Sequence, residues 1–174
     1  LIDVLVDPGR AFGTGGHPTT RLSLEMLVEL EEAGEAAGPF ADWGTGSGVL
    51  AIAAAKLGWS PVIGCDREDT SLETARANAE ANGVELAVER IDVREQPPPV
   101  APTVVANLTA SLLVNCAGHL NGAAELPATL ACSGMLEEQF DEVAEAWAPL
   151  GLMESSRRTE GNWAGMLLRT SQNA

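Results

Sequence analysis

Lysine occurs only once in this chain of 174 residues, at Lys56, and Lys and Arg together number 10 against 25 acidic residues. The formal net charge is -15 and the isoelectric point about 4.3. Such a chain has few cations with which to displace counterions from phosphates, so a nucleic-acid substrate is not expected. A cationic partner is favoured in encounter rate instead. Aromatic residues are scarce at 4%, which leaves a core built mainly from Ala, Leu and Val. Cysteine is represented by Cys65, Cys116 and Cys132, which form no C-x-x-C pair and sit among apolar neighbours. Buried free thiols are expected, as in the cytoplasm. No signal-peptide pattern and no apolar run long enough to span a bilayer is present, so no membrane association is expected. No His/Cys/Asp grouping has metal-ligand spacing, and no Ser/His/Asp arrangement has support.

What the sequence does have is 45% hydrophobic residues, enough to build one compact domain without disulfides or metals. Residues 1–6 alternate apolar side chains around Asp3, as a strand does. Four glycines and two prolines between Asp7 and Pro18 predict a structured loop. A helix follows, capped by Thr19 or Thr20, with Leu24, Leu27 and Val28 on one face. Strands are then predicted over 40–43, 62–66, 86–90, 103–107 and 128–132. Helices are predicted over 47–57, over 70–82 behind a Thr70-Ser71-Leu72-Glu73 capping box, and near 111–119. A helix after residue 132 places Leu136, Phe140, Val143 and Trp147 on one stripe. Strands over 152–158 and 163–168, joined by Glu160-Gly161-Asn162, pair antiparallel. This order predicts an α/β fold: a doubly wound, mostly parallel seven-stranded sheet with a C-terminal antiparallel hairpin.

The central motif is Asp42-Trp43-Gly44-Thr45-Gly46-Ser47-Gly48, between a strand and a helix. Glycines there let the backbone approach a ligand closely, with a helix N-terminus behind it. Gly46 to Ala51 also fits the dinucleotide pattern G-x-G-x-x-A. Asp66 closes the next strand at the spacing of an acid that accepts hydrogen bonds from both ribose hydroxyls. NAD and S-adenosylmethionine each carry an adenosine ribose, so Asp66 does not choose between them. Asp42 does. A carboxylate beside a pyrophosphate is unfavourable, whereas the ammonium of an amino-acid tail needs an acceptor. S-adenosylmethionine is therefore the expected cofactor. His17, before a proline in a glycine loop, is read as fixing the loop rather than as a base. His119 closes a helix, where an imidazolium interacts well with the dipole. Trp43, Trp59, Trp147 and Trp163 are read as packing residues, Trp43 being the one beside the glycine turn.

The run Pro8-Gly9-Arg10-Ala11-Phe12-Gly13-Thr14-Gly15-Gly16-His17-Pro18-Thr19-Thr20 resembles the segment that precedes the first motif in the PrmA family of ribosomal protein methyltransferases. The resemblance continues through Asp42 to Lys56, Asp66, Ala77 to Gly83, Ala106-Asn107-Leu108, Ser133 to Gln139, and Glu160-Gly161-Asn162-Trp163. It implies a class I (Rossmann-like) enzyme that moves a methyl group from S-adenosylmethionine to amino groups of a ribosomal protein or another cationic protein. It also implies that Thr20, Gly44, Asp66 and Asn107 contact the cofactor, with Asp42 and Gly46 sharing that role. Asp92 would lie near the adenine, and Phe12, Gly13 and Thr14 would form a flap. The N-terminal substrate-recognition domain of the family is not expected within residues 1–174. Ser111, where the family usually has Pro, and residues 121–126, in place of Pro-Gly-Gly, set the acceptor side apart. Two alternatives stay open: a class I methyltransferase for a small molecule or another protein, and a module that binds cofactor without catalysis. No residue is read as a general base. Asn107 can orient an amine through its side-chain carbonyl, but an amide is not an effective base at neutral pH.

Overall fold

A computed structural model of the chain describes residues 2–7, 9 and 15–171. Helix α1 (Pro18–Glu32) precedes strand β1 (Phe40–Trp43), α2 (Val49–Leu57), β2 (Val62–Asp66), α3 (Asp69–Ala81) and β3 (Ala87–Arg90). Then come β4 (Thr103–Asn107), α4 (Ala110–Leu120), β5 (Thr129–Leu136), α5 (Phe140–Trp147), β6 (Leu152–Glu160) and β7 (Trp163–Thr170). The strands form one sheet in the order β3-β2-β1-β4-β5-β7-β6. Neighbours from β3 to β5 are parallel, and β7 is antiparallel to both β5 and β6. The predicted doubly wound sheet with its terminal hairpin is therefore what forms.

Successive strand residues point to opposite faces, and both faces are covered. Val104, Leu130 and Cys132 join Leu113, Val143 and Trp147 of α4 and α5 in one core. Val105, Ala131 and Leu167 join Met26, Leu27 and Leu50 of α1 and α2 in the other. Trp43 and Trp147 stack, with centroids 6.0 Å apart and planes 26° apart. Trp59 packs on Phe40 with centroids 5.2 Å apart. The three cysteines are free and buried, and burial pushes the thiol of each up to about 12. Among the described residues no helix is long and apolar enough to cross a membrane.

Four local expectations are corrected. Residues 2–6 form no strand. This segment and Asp7 are served by Asn78 of α3 and by Asn82, the C-cap of α3 one turn on. The Asn82 carboxamide accepts from Leu5 N and donates to Leu5 O, at 2.9 and 2.7 Å. Asn78 does the same for Asp7, at 3.0 and 2.9 Å, and also donates to Ser47 O at 2.8 Å. A second correction concerns the start of α1, whose cap is His17 rather than Thr19 or Thr20. Pro18 takes the first helical position, and His17 Nδ1 accepts from Thr19 N at 3.3 Å. Third, α3 begins at Asp69 behind Glu68, which makes no side-chain cap. Thr70 thus lies inside the first turn, where its hydroxyl cannot act as the cap. Fourth, β5 runs on to Leu136, so Leu136 ends a strand and the α5 stripe starts at Phe140. The strand survives by a bulge at Gly134, whose φ is +95°.

Candidate cofactor-binding site

Strand order reverses at β1, which lies between β2 and β4. In sheets of this kind ligands bind outside the carboxyl ends of the strands at that switch point. Asp42, Asp66 and Asn107 stand at or next to the ends of β1, β2 and β4. The glycine turn is fastened to the β2 end, because Gly44 N and Thr45 N both donate to Cys65 O, at 2.9 and 2.8 Å. All three of its glycines have positive φ, and at two of them a side chain would also collide. Gly44 has φ +73°, and a Cβ there would stand 2.6 Å from Leu108 Cδ2. Gly48 has φ +84°, and a Cβ there would stand 3.2 Å from the Ala75 Cα, so its absence lets α2 approach α3.

Asp66 is held by backbone on both oxygens. Its Oδ2 accepts from Gly46 N and its Oδ1 from Glu68 N, each at 3.0 Å. Each carboxylate oxygen has a second acceptor position, so the oriented, partly exposed group keeps capacity for two ribose hydroxyls. Asp42 is buried. Its Oδ2 accepts from Thr45 Oγ1 at 2.7 Å and from Ala51 N at 3.2 Å. It thereby caps α2 from the strand, a task that the N-cap Gly48 has no side chain to perform. Its Oδ1 is also buried and has no hydrogen-bond partner among the described residues. Burial lifts the Asp42 carboxyl to about 7; the Thr45 and Ala51 bonds oppose the rise, and the Asp66 charge adds to it. An orphaned carboxylate oxygen beneath a glycine turn suits a ligand that brings a cationic donor, so these residues fit a cofactor with an ammonium-bearing tail.

Thr20, buried in the first turn of α1, meets Asn107 across the sheet end: Asn107 Nδ2 lies 3.5 Å from Thr20 Oγ1. Thr20, Asp42, Gly44, Gly46, Asp66 and Asn107 thus gather on one edge, linked by direct contacts or through Thr45 and Leu108. Asp92 lies just past the β3 end, but its carboxylate is engaged by Arg94 Nε at 2.8 and 3.1 Å, and that guanidinium holds it down to about 2. Trp43 is fully buried and donates to Pro99 O at 2.8 Å, which makes it a core residue. His17 caps α1 and sets its ring against Trp163, centroids 5.1 Å apart, in keeping with the loop-fixing reading. Phe12, Gly13 and Thr14 lie outside the described residues. Sequence reasoning missed Leu108, which covers Gly44, and Gly134, which abuts Asn107. An isolated glycine within an apolar run was the available signal for the latter.

Residues 2–171 match the family model described as "Ribosomal protein L11 methyltransferase (PrmA)". A ribosomal protein L11 methyltransferase of Tolumonas auensis is 41% identical over 160 residues, covering 91% of this chain and 54% of that protein. One from Vibrio cholerae is 44% identical over 145 residues, covering 83% and 48%. The chain spans about half the length of the curated relatives it matches. The crystal structure of a ribosomal protein L11 methylase from Lactobacillus delbrueckii subsp. bulgaricus superposes with a TM-score of 0.81 at 30% identity, covering 95% of this chain and 84% of that one. The chain belongs to the ribosomal protein L11 methyltransferase (PrmA) family.

Proposed function

We propose that this domain binds S-adenosylmethionine across the ends of β1, β2 and β4 and transfers its methyl group to amino groups of a ribosomal protein or another cationic protein. The observation that carries the reading is the buried, unpartnered Oδ1 of Asp42 beside the glycine turn. It is an acceptor that the cofactor's ammonium satisfies and that a pyrophosphate repels. Asp66 receives the ribose hydroxyls. The glycine turn brings backbone close to the ligand, and Thr20 and Asn107 bound the reactive end. When bound, S-adenosylmethionine supplies an electrophilic methyl carbon on a sulfonium. The chain's task is to hold an amine in line with that carbon, since alignment alone supplies up to about 7–11 kcal/mol of the acceleration. The Asn107 carbonyl orients the amine, and desolvation helps the ammonium lose its proton.

The acidic balance of the chain favours a cationic acceptor over nucleic acid. An open cavity of about 570 Å³ at the end of β5 is lined by two acids, Glu137 and Glu138, together with Leu136 and Asn162. A cytoplasmic location suits the three free thiols. Calorimetric titration with S-adenosylmethionine, S-adenosylhomocysteine and NAD tests the reading. The first two are expected to bind and NAD far more weakly; tighter binding of NAD would overturn it. Asp66→Ala is expected to weaken S-adenosylmethionine by about 1.5–3 kcal/mol, through lost hydrogen bonds to a charged acceptor. Without ligand it loses the bonds from Gly46 N and Glu68 N as well, so unfolding stability should drop by about 1 kcal/mol. Wild-type affinity in this variant would remove Asp66 from the site.

A further inference from the structure

Behind the Thr20–Asn107 pair lies a buried polar relay. Ser23 of α1 and Ser133 of β5 have no exposed surface. Their hydroxyls are 2.6 Å apart, and Ser133 Oγ lies 2.8 Å from Thr19 O. A hydroxyl has one proton to give, and a carbonyl can only accept. Ser133 therefore donates to Thr19 O, and Ser23 donates to Ser133. The relay runs one way and ties β5 to the helical turn that carries Thr20.

The next residue, Gly134, breaks the β5–β7 register with φ +95°. A Cβ there would stand 2.5 Å from Leu108 O and 2.9 Å from Asn107 Oδ1. Leu108 N in turn donates to Ser133 O at 2.9 Å. Bulges of this kind re-aim neighbouring groups beside active sites. The Thr20–Asn107 contact, at 3.5 Å, is too long to hold the pair by itself. Each member is braced from behind instead, Thr20 by the relay and Asn107 by the bulge.

We propose that Ser23, Ser133 and Gly134 are positioning residues that set the placement of the Thr20–Asn107 pair. Their effect on ligand affinity rests on the S-adenosylmethionine reading above; the placement itself does not. The test uses the whole chain with Ser23→Ala, Ser133→Ala, their double variant and Gly134→Ala. Thr129→Ala, at the far end of β5, is the control. Two quantities are read: the carboxamide ¹⁵N–¹H signals of Asn107 without ligand, and the calorimetric affinity for S-adenosylhomocysteine. Ser23→Ala, which loses one buried hydrogen bond, is expected to shift the Asn107 signals and weaken binding about 3- to 10-fold, and Ser133→Ala, which loses both bonds of the relay, to do so at least as strongly. The double variant should be no worse than Ser133→Ala, because that single substitution already removes both bonds. Gly134→Ala should shift the signals further, and Thr129→Ala should lower the melting temperature and leave both readouts unchanged. Folded serine variants with wild-type Asn107 signals overturn the proposal, and they decide it even if Gly134→Ala does not fold. A wild-type chain that binds no S-adenosylhomocysteine overturns the cofactor reading instead, while the Asn107 signals still judge the placement.

Discussion

Trp147→Ala is expected to remove about 3–5 kcal/mol of folding stability, a large part of the roughly 5–15 kcal/mol that holds a whole domain. Trp147 ends α5 with no exposed surface. Its ring lies on Trp43 of β1, so one side chain joins the helical layer to the middle of the sheet. The neighbourhood cannot collapse into the space it would leave. The core it belongs to includes alanines such as Ala41, Ala106 and Ala117, which have little side chain to fill a hole, and Trp43 is anchored by its bond to Pro99 O. The Trp147 Nε1 is buried and without a partner among the described residues. Trp147→Phe removes that unpaired donor along with part of the ring, so it should cost less than Trp147→Ala. Because Trp43 precedes Gly44, the void should also loosen the glycine turn and weaken the cofactor. Urea denaturation followed by circular dichroism measures the first effect. A loss below about 1 kcal/mol would show that the core closes around the hole.

The second large effect is a pH dependence that one carboxyl imposes. Asp42 titrates near 7 when folded, against an ordinary 3.8. The folded state thus holds a proton that the unfolded state has lost, and stability falls as pH rises through that interval. The contribution is whole below about pH 4 and gone above about pH 7, with a slope of up to about 1.4 kcal/mol per unit between them. Ligand works the other way. An ammonium on Oδ1 favours the ionised form, so binding expels the proton and affinity should climb between roughly pH 6 and 7.5. Asp42→Asn should flatten both profiles. The net charge of -15 adds a self-repulsion of the same sign, so the difference between wild type and variant isolates the carboxyl. Denaturation across pH 4–8 and titration in buffers of different ionisation enthalpy supply the data. Parallel profiles for the two proteins would show that Asp42 does not titrate in this range.

The central strands were legible because each is buried on both faces and reads as a short apolar run between breakers. Strands β1, β2 and β4 match their predicted residues for that reason. The errors arose where a local pattern had an unexpected partner. Residues 2–6 do alternate, but the backbone of Leu5 is bonded by the side chain of Asn82 and that of Asp7, just beyond, by Asn78, which no periodicity reveals. The end of β5 was lost because Gly134 looks like a stop and acts as a bulge. In the candidate site, Asp42, the glycines and Asp66 could be reasoned from residue chemistry, since one strand–turn–helix unit and the next strand contain them. Thr20 and Asn107 came only from the family resemblance. They are 87 positions apart and meet through the sheet order. Ser23 and Ser133 are 110 positions apart, and nothing in the chemistry of a serine foretells such a pairing.

The place of β7 bears on how the chain comes to be folded at all. Of the seven strands, the last in chain order lies inside the sheet, between β5 and β6. Until it emerges, β5 has an open edge and β6 has no strand to pair with. Both then expose unpaired backbone groups of the kind that template intermolecular association. A chain that stops before β7 (Trp163–Thr170) therefore loses the join between two strands rather than a fringe of the sheet. Incomplete chains are the species that should aggregate, and the final residues of β7 act as the closing step of assembly.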